Sequence, residues 1–155
     1  MKTVVLLVGK TDHRLSAELI DDYRSRIVHY MPFDIVTLPD IKNTRSLSPV
    51  QQKQAEGELI LRQLEPSDCV VLLDERGRQY TSPDFARWME KRQAAYRRLV
   101  LIIGGPYGFS EAVYSRAAEQ ISLSLMTFSH QMVRLFLVEQ IYRACTILRG
   151  EPYHH

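Results

Sequence analysis

Six residues near the C-terminus have the types and spacing for proton and anion chemistry. Glu139 and Arg143 lie four apart, about one helical turn, in the order that favours an ion pair. His130 and Arg134 have the same spacing and so share one helical face. Tyr153 and His154 follow Gly150 and Pro152 at the end of the chain. A helix-face ion pair is commonly a solvated surface feature, and chain ends are usually inert. A Tyr-His pair is nonetheless an aromatic platform beside a group that titrates near neutrality. It suits stacking on a base and moving a proton.

A second candidate is the run Gly104-Gly105-Pro106-Tyr107-Gly108. It is G-G-x-x-G, lacks a following Gly-Lys-Ser/Thr, and follows the fourth apolar run of the chain. These three points argue against a dinucleotide or nucleoside-triphosphate loop. Glycines there still allow a flat ligand to approach bare backbone, or simply a tight turn. No metal constellation is visible: His13, His29 and His130 stand alone, and His154-His155 have no acidic or cysteine partner at ligand spacing. No G-x-S-x-G elbow occurs. Cys69 and Cys145 sit in apolar runs without a Cys-x-x-Cys, as free core thiols in a reducing cytosol would.

The elements that must position these residues alternate. Apolar runs at 4–8, 34–38, 69–73, 99–103 and 121–125 are of strand length. Between them lie segments of helical period, the first with Leu15, Leu19, Tyr23 and Ile27. Ser48-Pro49-Val50-Gln51 has the N-cap, first-turn proline and capping-box residue of a helix start. Ser82-Pro83 opens another helix, and the last is expected over about 129–148. The alternation predicts one α/β domain over 1–155, with a mainly parallel sheet flanked by helices. Ligands of such sheets bind beyond the carboxyl ends of the strands. Those ends are at Leu73, at Gly104 and Gly105, and at 125–128.

The 155 residues carry 20 Lys+Arg and 18 Asp+Glu, a net charge of +2, which argues against holding nucleic acid by bulk electrostatics. No run nears the roughly 20 apolar residues that span a bilayer, so no membrane is expected. The last helix is apolar around nearly its whole circumference, unlike the single stripe of a surface helix. A homodimer burying this helix is the natural answer.

Four ordered segments carry a resemblance. They are Leu101-Ile102-Ile103-Gly104-Gly105-Pro106-Tyr107-Gly108, then Leu123-Ser124-Leu125-Met126-Thr127-Phe128-Ser129-His130-Gln131-Met132-Val133-Arg134, then Glu139-Gln140-Ile141-Tyr142-Arg143-Ala144, and Arg149-Gly150-Glu151-Pro152-Tyr153-His154. Together they resemble a bacterial family of small SPOUT-superfamily enzymes that methylate N3 of a pseudouridine in 23S rRNA. The similarity covers essentially the whole chain. It implies a trefoil knot in the C-terminal half, S-adenosylmethionine as methyl donor, no metal, an obligate homodimer, and assembled 70S ribosomes as substrate in the cytoplasm. It places the cofactor at Leu73, Gly104, Gly105, Leu123, Ser124, Leu125, Met126, Thr127 and Phe128. With it, His154 is expected as base or proton relay and Tyr153 as stacking or orienting group. Arg134 and Arg143 are expected to bind phosphate or base oxygens, Glu139 to orient Arg143, and His130 to join this catalytic set. The family often has proline where this chain has Ser129, which can cap the helix instead. The rival reading is a non-catalytic, nucleotide-binding α/β module that regulates a partner. It leaves Tyr153-His154 and Arg134 without a role.

Overall fold

The computed structural model describes residues 2–155. Five strands, β1 (Lys2–Val8), β2 (Phe33–Leu38), β3 (Cys69–Gln79), β4 (Arg98–Ile103) and β5 (Glu119–Ser122), form one sheet in the order β2-β1-β4-β3-β5. Every neighbouring pair is parallel. Five helices connect or follow them: α1 (Arg14–Ile27), α2 (Pro49–Arg62), α3 (Ser82–Ala95), α4 (Glu111–Arg116) and α5 (Met132–Leu148).

The continuous apolar runs are explained by burial on both faces. Val5, Leu7, Val71, Leu101 and Ile103 point to the side covered by α1, α3 and α5. Leu6, Val8, Val70, Leu72, Val100 and Ile102 point to the side covered by α2 and α4. The capping box at Ser48 is complete: Ser48 Oγ accepts the Gln51 N–H at 3.2 Å, and Gln51 Oε1 accepts the Ser48 N–H at 2.9 Å. Both cysteines are free and buried. Burial raises the Cys69 thiol and pushes the Cys145 thiol up to about 11.

Three boundaries differ from expectation, and each difference shapes the site. β3 does not stop at Leu73. It bends between Leu73 and Arg78, and Ile121 of β5 pairs with both residues. Gly77 makes this crossing possible, because a Cβ there would lie 2.6 Å from the Ile121 backbone nitrogen. β5 ends at Ser122, not Leu125, because the Ser122 hydroxyl donates to the Ser124 carbonyl and turns the chain away. Leu125 and Met126 are therefore exposed, at 90% and 77%. Helix α5 starts at Met132, later than expected. Ser129 nonetheless caps the approach: its Oγ accepts the Met132 N–H at 3.1 Å and its carbonyl accepts the Val133 N–H at 3.0 Å.

Candidate active site

The ends of β3, β4 and β5 converge on a cavity of about 550 Å³, within the range of small-molecule sites. Leu73, Gly104, Gly105, Leu123, Ser124, Met126, Thr127, Phe128 and His130 all line it. Leu125, the remaining member of the expected cofactor set, lies in the same loop but outside the lining. The two glycines are demanded from behind. A Cβ on Gly104 would meet the Phe109 ring at 2.9 Å, and one on Gly105 would meet the Glu56 carboxylate at 2.5 Å. Apolar walls from Leu73, Ile103, Ile121 and Phe128 suit a flat aromatic ligand. Asp74, Glu75 and Arg76 also line it, with Arg76 Nε 3.7 Å from Asp74 Oδ1, so the lining carries charge of both signs. Asp74 is fixed on both sides: Oδ1 accepts the Arg76 N–H at 2.9 Å, and Oδ2 accepts the Tyr114 hydroxyl.

The second cluster lies farther along α5, about 15 Å from Val133 to Arg143 at 1.5 Å per residue. Arg143 donates to Glu139 Oε1 at 2.7 Å and to His154 Nδ1 at 3.2 Å, and its guanidinium lies 4.9 Å from the Tyr153 ring centre. The Tyr153 hydroxyl donates to Glu139 Oε1 at 2.9 Å. Burial first, then hydrogen bonds with Tyr23 and Glu139, push that phenol above its ordinary value, so it acts as a donor and not as a phenolate. Arginine has no acceptor. The His154 Nδ1 must therefore present its lone pair, which leaves the proton of the neutral ring on Nε2. Tyr153 also packs edge-on against Tyr142 at 4.7 Å, and Tyr30 hydroxyl donates to Glu151. The chain end is thus docked rather than loose.

Arg134 overturns an expectation. It is fully buried (0% exposed) and reaches neither region as a substrate contact. Its Nη2 donates to the Val8 carbonyl at 2.7 Å, its Nη1 to Gly9 at 2.7 Å, and its Nε to the His130 carbonyl at 3.1 Å. Helical spacing correctly put it on the face of His130, but that face meets the carbonyl end of β1. Desolvation lowers its pKa from the ordinary arginine value. Arg134 ties the start of α5 to the carbonyl end of β1 and leaves no phosphate-binding hand free. Gln131 does the same job nearby, accepting the Asp12 N–H at 2.9 Å.

A family model described as "Predicted SPOUT methyltransferase" matches residues 1–154. The chain belongs to the SPOUT methyltransferase family. It is 56% identical to the ribosomal RNA large subunit methyltransferase H of Parabacteroides distasonis, with 100% of this chain and 99% of the relative aligned. The proteins of the same name from Bacteroides fragilis and Porphyromonas gingivalis are 57% and 54% identical over the same shares. This SPOUT methyltransferase is therefore an enzyme, and the rival reading of a non-catalytic regulatory module falls. No helix among the described residues is long and apolar enough to cross a membrane, and no group of three or more potential metal ligands occurs among them.

Sequence reasoning missed two residues that shape the site. Tyr114, on α4, braces Asp74 from the opposite face of the sheet. Gln140 links Ser82 on α3 to Glu139. Tyr114 lies between the marked segments, and Gln140 lies inside one but was given no role there. Only the packing of α4 and α3 brings them in.

Proposed function

We propose that this SPOUT methyltransferase transfers a methyl group from S-adenosylmethionine to N3 of a pseudouridine in 23S rRNA, acting as a homodimer on the assembled 70S ribosome in the cytoplasm. The observation that carries the reading is the tail cluster. Glu139, Arg143, Tyr153 and His154 form one connected set of hydrogen bonds that holds a guanidinium beside an imidazole.

The cavity lining fits the donor: apolar walls for the adenine, bare backbone at Gly104 and Gly105 for close approach, and the Glu75 carboxylate beside the Asp74–Arg76 pair. Bound there, the donor supplies an electrophilic methyl group on a sulfonium. The protein's share is the acceptor. An imide nitrogen attacks only after losing its proton, so the site must favour the anion. Arg143 supplies a fixed positive charge, oriented by Glu139. The His154 Nε2–H offers a hydrogen bond to a base oxygen that gains charge as the proton leaves. In this arrangement His154 stabilises the anion, and it relays a proton only if Arg143 releases Nδ1. Tyr153 holds Glu139 and offers its ring for stacking.

Support for the dimer comes from apolar surface on α1 and α5: Leu15, Leu19, Met132 and Phe136 are all exposed. A trefoil knot in the C-terminal half is part of the same reading, carried by membership of the family.

Incubation with labelled S-adenosylmethionine and 70S ribosomes, followed by nucleoside mass spectrometry of 23S rRNA, tests the reading. The expected product is N3-methylpseudouridine. Label confined to another nucleotide, or absent from 23S rRNA, would reject it.

A further inference from the structure

A groove of about 340 Å³ adjoins the donor cavity, lined by residues 76–78 of β3 and 117–120 leading into β5. Arg76 lines both spaces, so they meet at its side chain. Gly77 lies bare against the Ile121 backbone. Strand alternation turns Arg76 and Arg78, one residue to either side, the other way. The Arg76 side chain is 81% exposed, and Arg78 is exposed too. The Arg78 guanidinium lies over the Tyr80 ring, 4.9 Å from its centre, and Tyr80 in turn packs against Trp88. The carboxylates around the groove are engaged elsewhere. Glu119, in its lining, accepts the Trp88 indole N–H at 2.9 Å and pairs with Arg92. Asp84, which feels the charge of Arg78, is bonded to Thr81 and Arg87. Asp74 and Glu75 line the donor cavity and not the groove. The groove therefore presents positive charge to solvent at the mouth of the donor site.

We propose that this groove holds phosphates of the rRNA strand next to the target nucleotide, with Arg78 as the main contact and Arg76 as the second. The inference rests on the proposed rRNA reaction. A nucleotide whose base meets the donor carries a phosphate on either side, and its strand must leave the cavity across the rim. Stacking on Tyr80 covers one face of the Arg78 guanidinium and leaves its N–H edges to make paired hydrogen bonds, the geometry that suits phosphate. Two residues along a strand span about 7 Å, comparable with the separation of neighbouring phosphates in a nucleic-acid strand. The arginines first expected to bind phosphate are committed: Arg134 to backbone carbonyls, and Arg143 to Glu139 and His154. With a net charge of only +2, localised cations must supply the electrostatic attraction to RNA.

The test measures affinity for purified 70S ribosomes by cosedimentation over a range of KCl, and methylation kinetics at saturating S-adenosylmethionine. Arg78→Ala is expected to weaken ribosome binding about threefold to fivefold, the upper range for an exposed ion pair. The slope of log affinity against log salt should become shallower by about 1, as for one lost phosphate contact. KM for ribosomes should rise by the same factor, with kcat and calorimetric donor affinity at wild-type values. Arg78→Lys, which keeps the charge, should restore the slope, and adding Arg76→Gln to Arg78→Ala should make it shallower again. Wild-type ribosome affinity and slope in Arg78→Ala would overturn the proposal. Weaker binding with a wild-type slope would overturn it too, because Arg78 would then act by packing on Tyr80. A loss of donor affinity or kcat in place of ribosome affinity would assign the charge to the donor and overturn it. If wild-type protein labels no 23S rRNA, the proposed reaction fails as a separate result, and the binding measurements still decide the role of the groove.

Discussion

The pocket at the ends of β3, β4 and β5 is shaped by backbone and apolar side chains, whereas the cluster farther along α5 is four polar side chains that hold one another. In the pocket, Gly104 and Gly105 are fixed by what lies behind them, and most of the lining would survive the loss of one side chain. In the cluster, Glu139 Oε1 receives both Arg143 and Tyr153, and Arg143 also holds His154. Removing Arg143 leaves His154 without its partner and Glu139 without its cation, while Tyr153 stays bonded to Glu139 and Tyr23. The pocket should thus fail gradually and in affinity, and the cluster abruptly and in rate.

The largest effect should come from Arg143→Ala. It removes the cation and the hydrogen-bond donor to both Glu139 and His154. Single-turnover methylation of ribosomes is expected to fall about 10³-fold, with S-adenosylmethionine affinity by calorimetry within about twofold of wild type. A parallel loss of donor affinity would show that the two regions are not separable.

Arg134→Met should next separate structure from chemistry. Methionine keeps the bulk but leaves the carbonyls of Val8, Gly9 and His130 without their donor. Buried acceptors left unpaired cost about 3 kcal/mol in total, read as a lower urea midpoint with an unchanged slope. A wild-type midpoint with slow methylation would return Arg134 to a direct role.

The pocket side of the comparison is sharpened by Met126→Ala. Met126 lines the pocket but is mostly exposed without ligand, so little packing is lost. Donor affinity should weaken about fivefold, or ~1 kcal/mol, from apolar contact made only with ligand. The methylation rate at saturating donor should stay near wild type.

The same contrast governs what could be read from sequence. The pocket was legible because strand ends in an alternating α/β chain are fixed by hydrophobic runs, and these locate Leu73 and Gly104 without knowledge of contacts. Ser48 and Gln51 were legible because a capping box is local. The bend of β3 was not: nothing near Gly77 signals that Ile121 will cross it. Nor was the burial of Arg134, since helical period gives the face but not what the face meets. The tail residues were singled out by type, an aromatic ring beside an imidazole, and tied to a particular reaction only through family resemblance. Their docking depends on Tyr23, Tyr30 and Tyr142, which are distant in the chain or ordinary in type.

The smallest effect tests the opposite of Glu139, a carboxylate with no such partners. Glu56 is 5% exposed, sits beneath Gly105, and its Oε1 has no hydrogen-bond partner. Desolvation raises its pKa above the ordinary 4.5, and nearby Asp40 adds to the rise against a hydrogen bond from Gln52. Between pH 4.5 and the raised folded value, the native state binds more protons than the unfolded state. Stability from this group is thus fully present below about pH 4.5 and is lost as pH rises through the folded value. Glu56→Gln removes the titration while keeping the shape. Its unfolding midpoint should match wild type near pH 4 and exceed it at pH 8, by ~0.5–1 kcal/mol. A difference that does not change with pH would mean that burial beneath the glycine loop leaves the Glu56 carboxyl with the same proton affinity as in the unfolded chain.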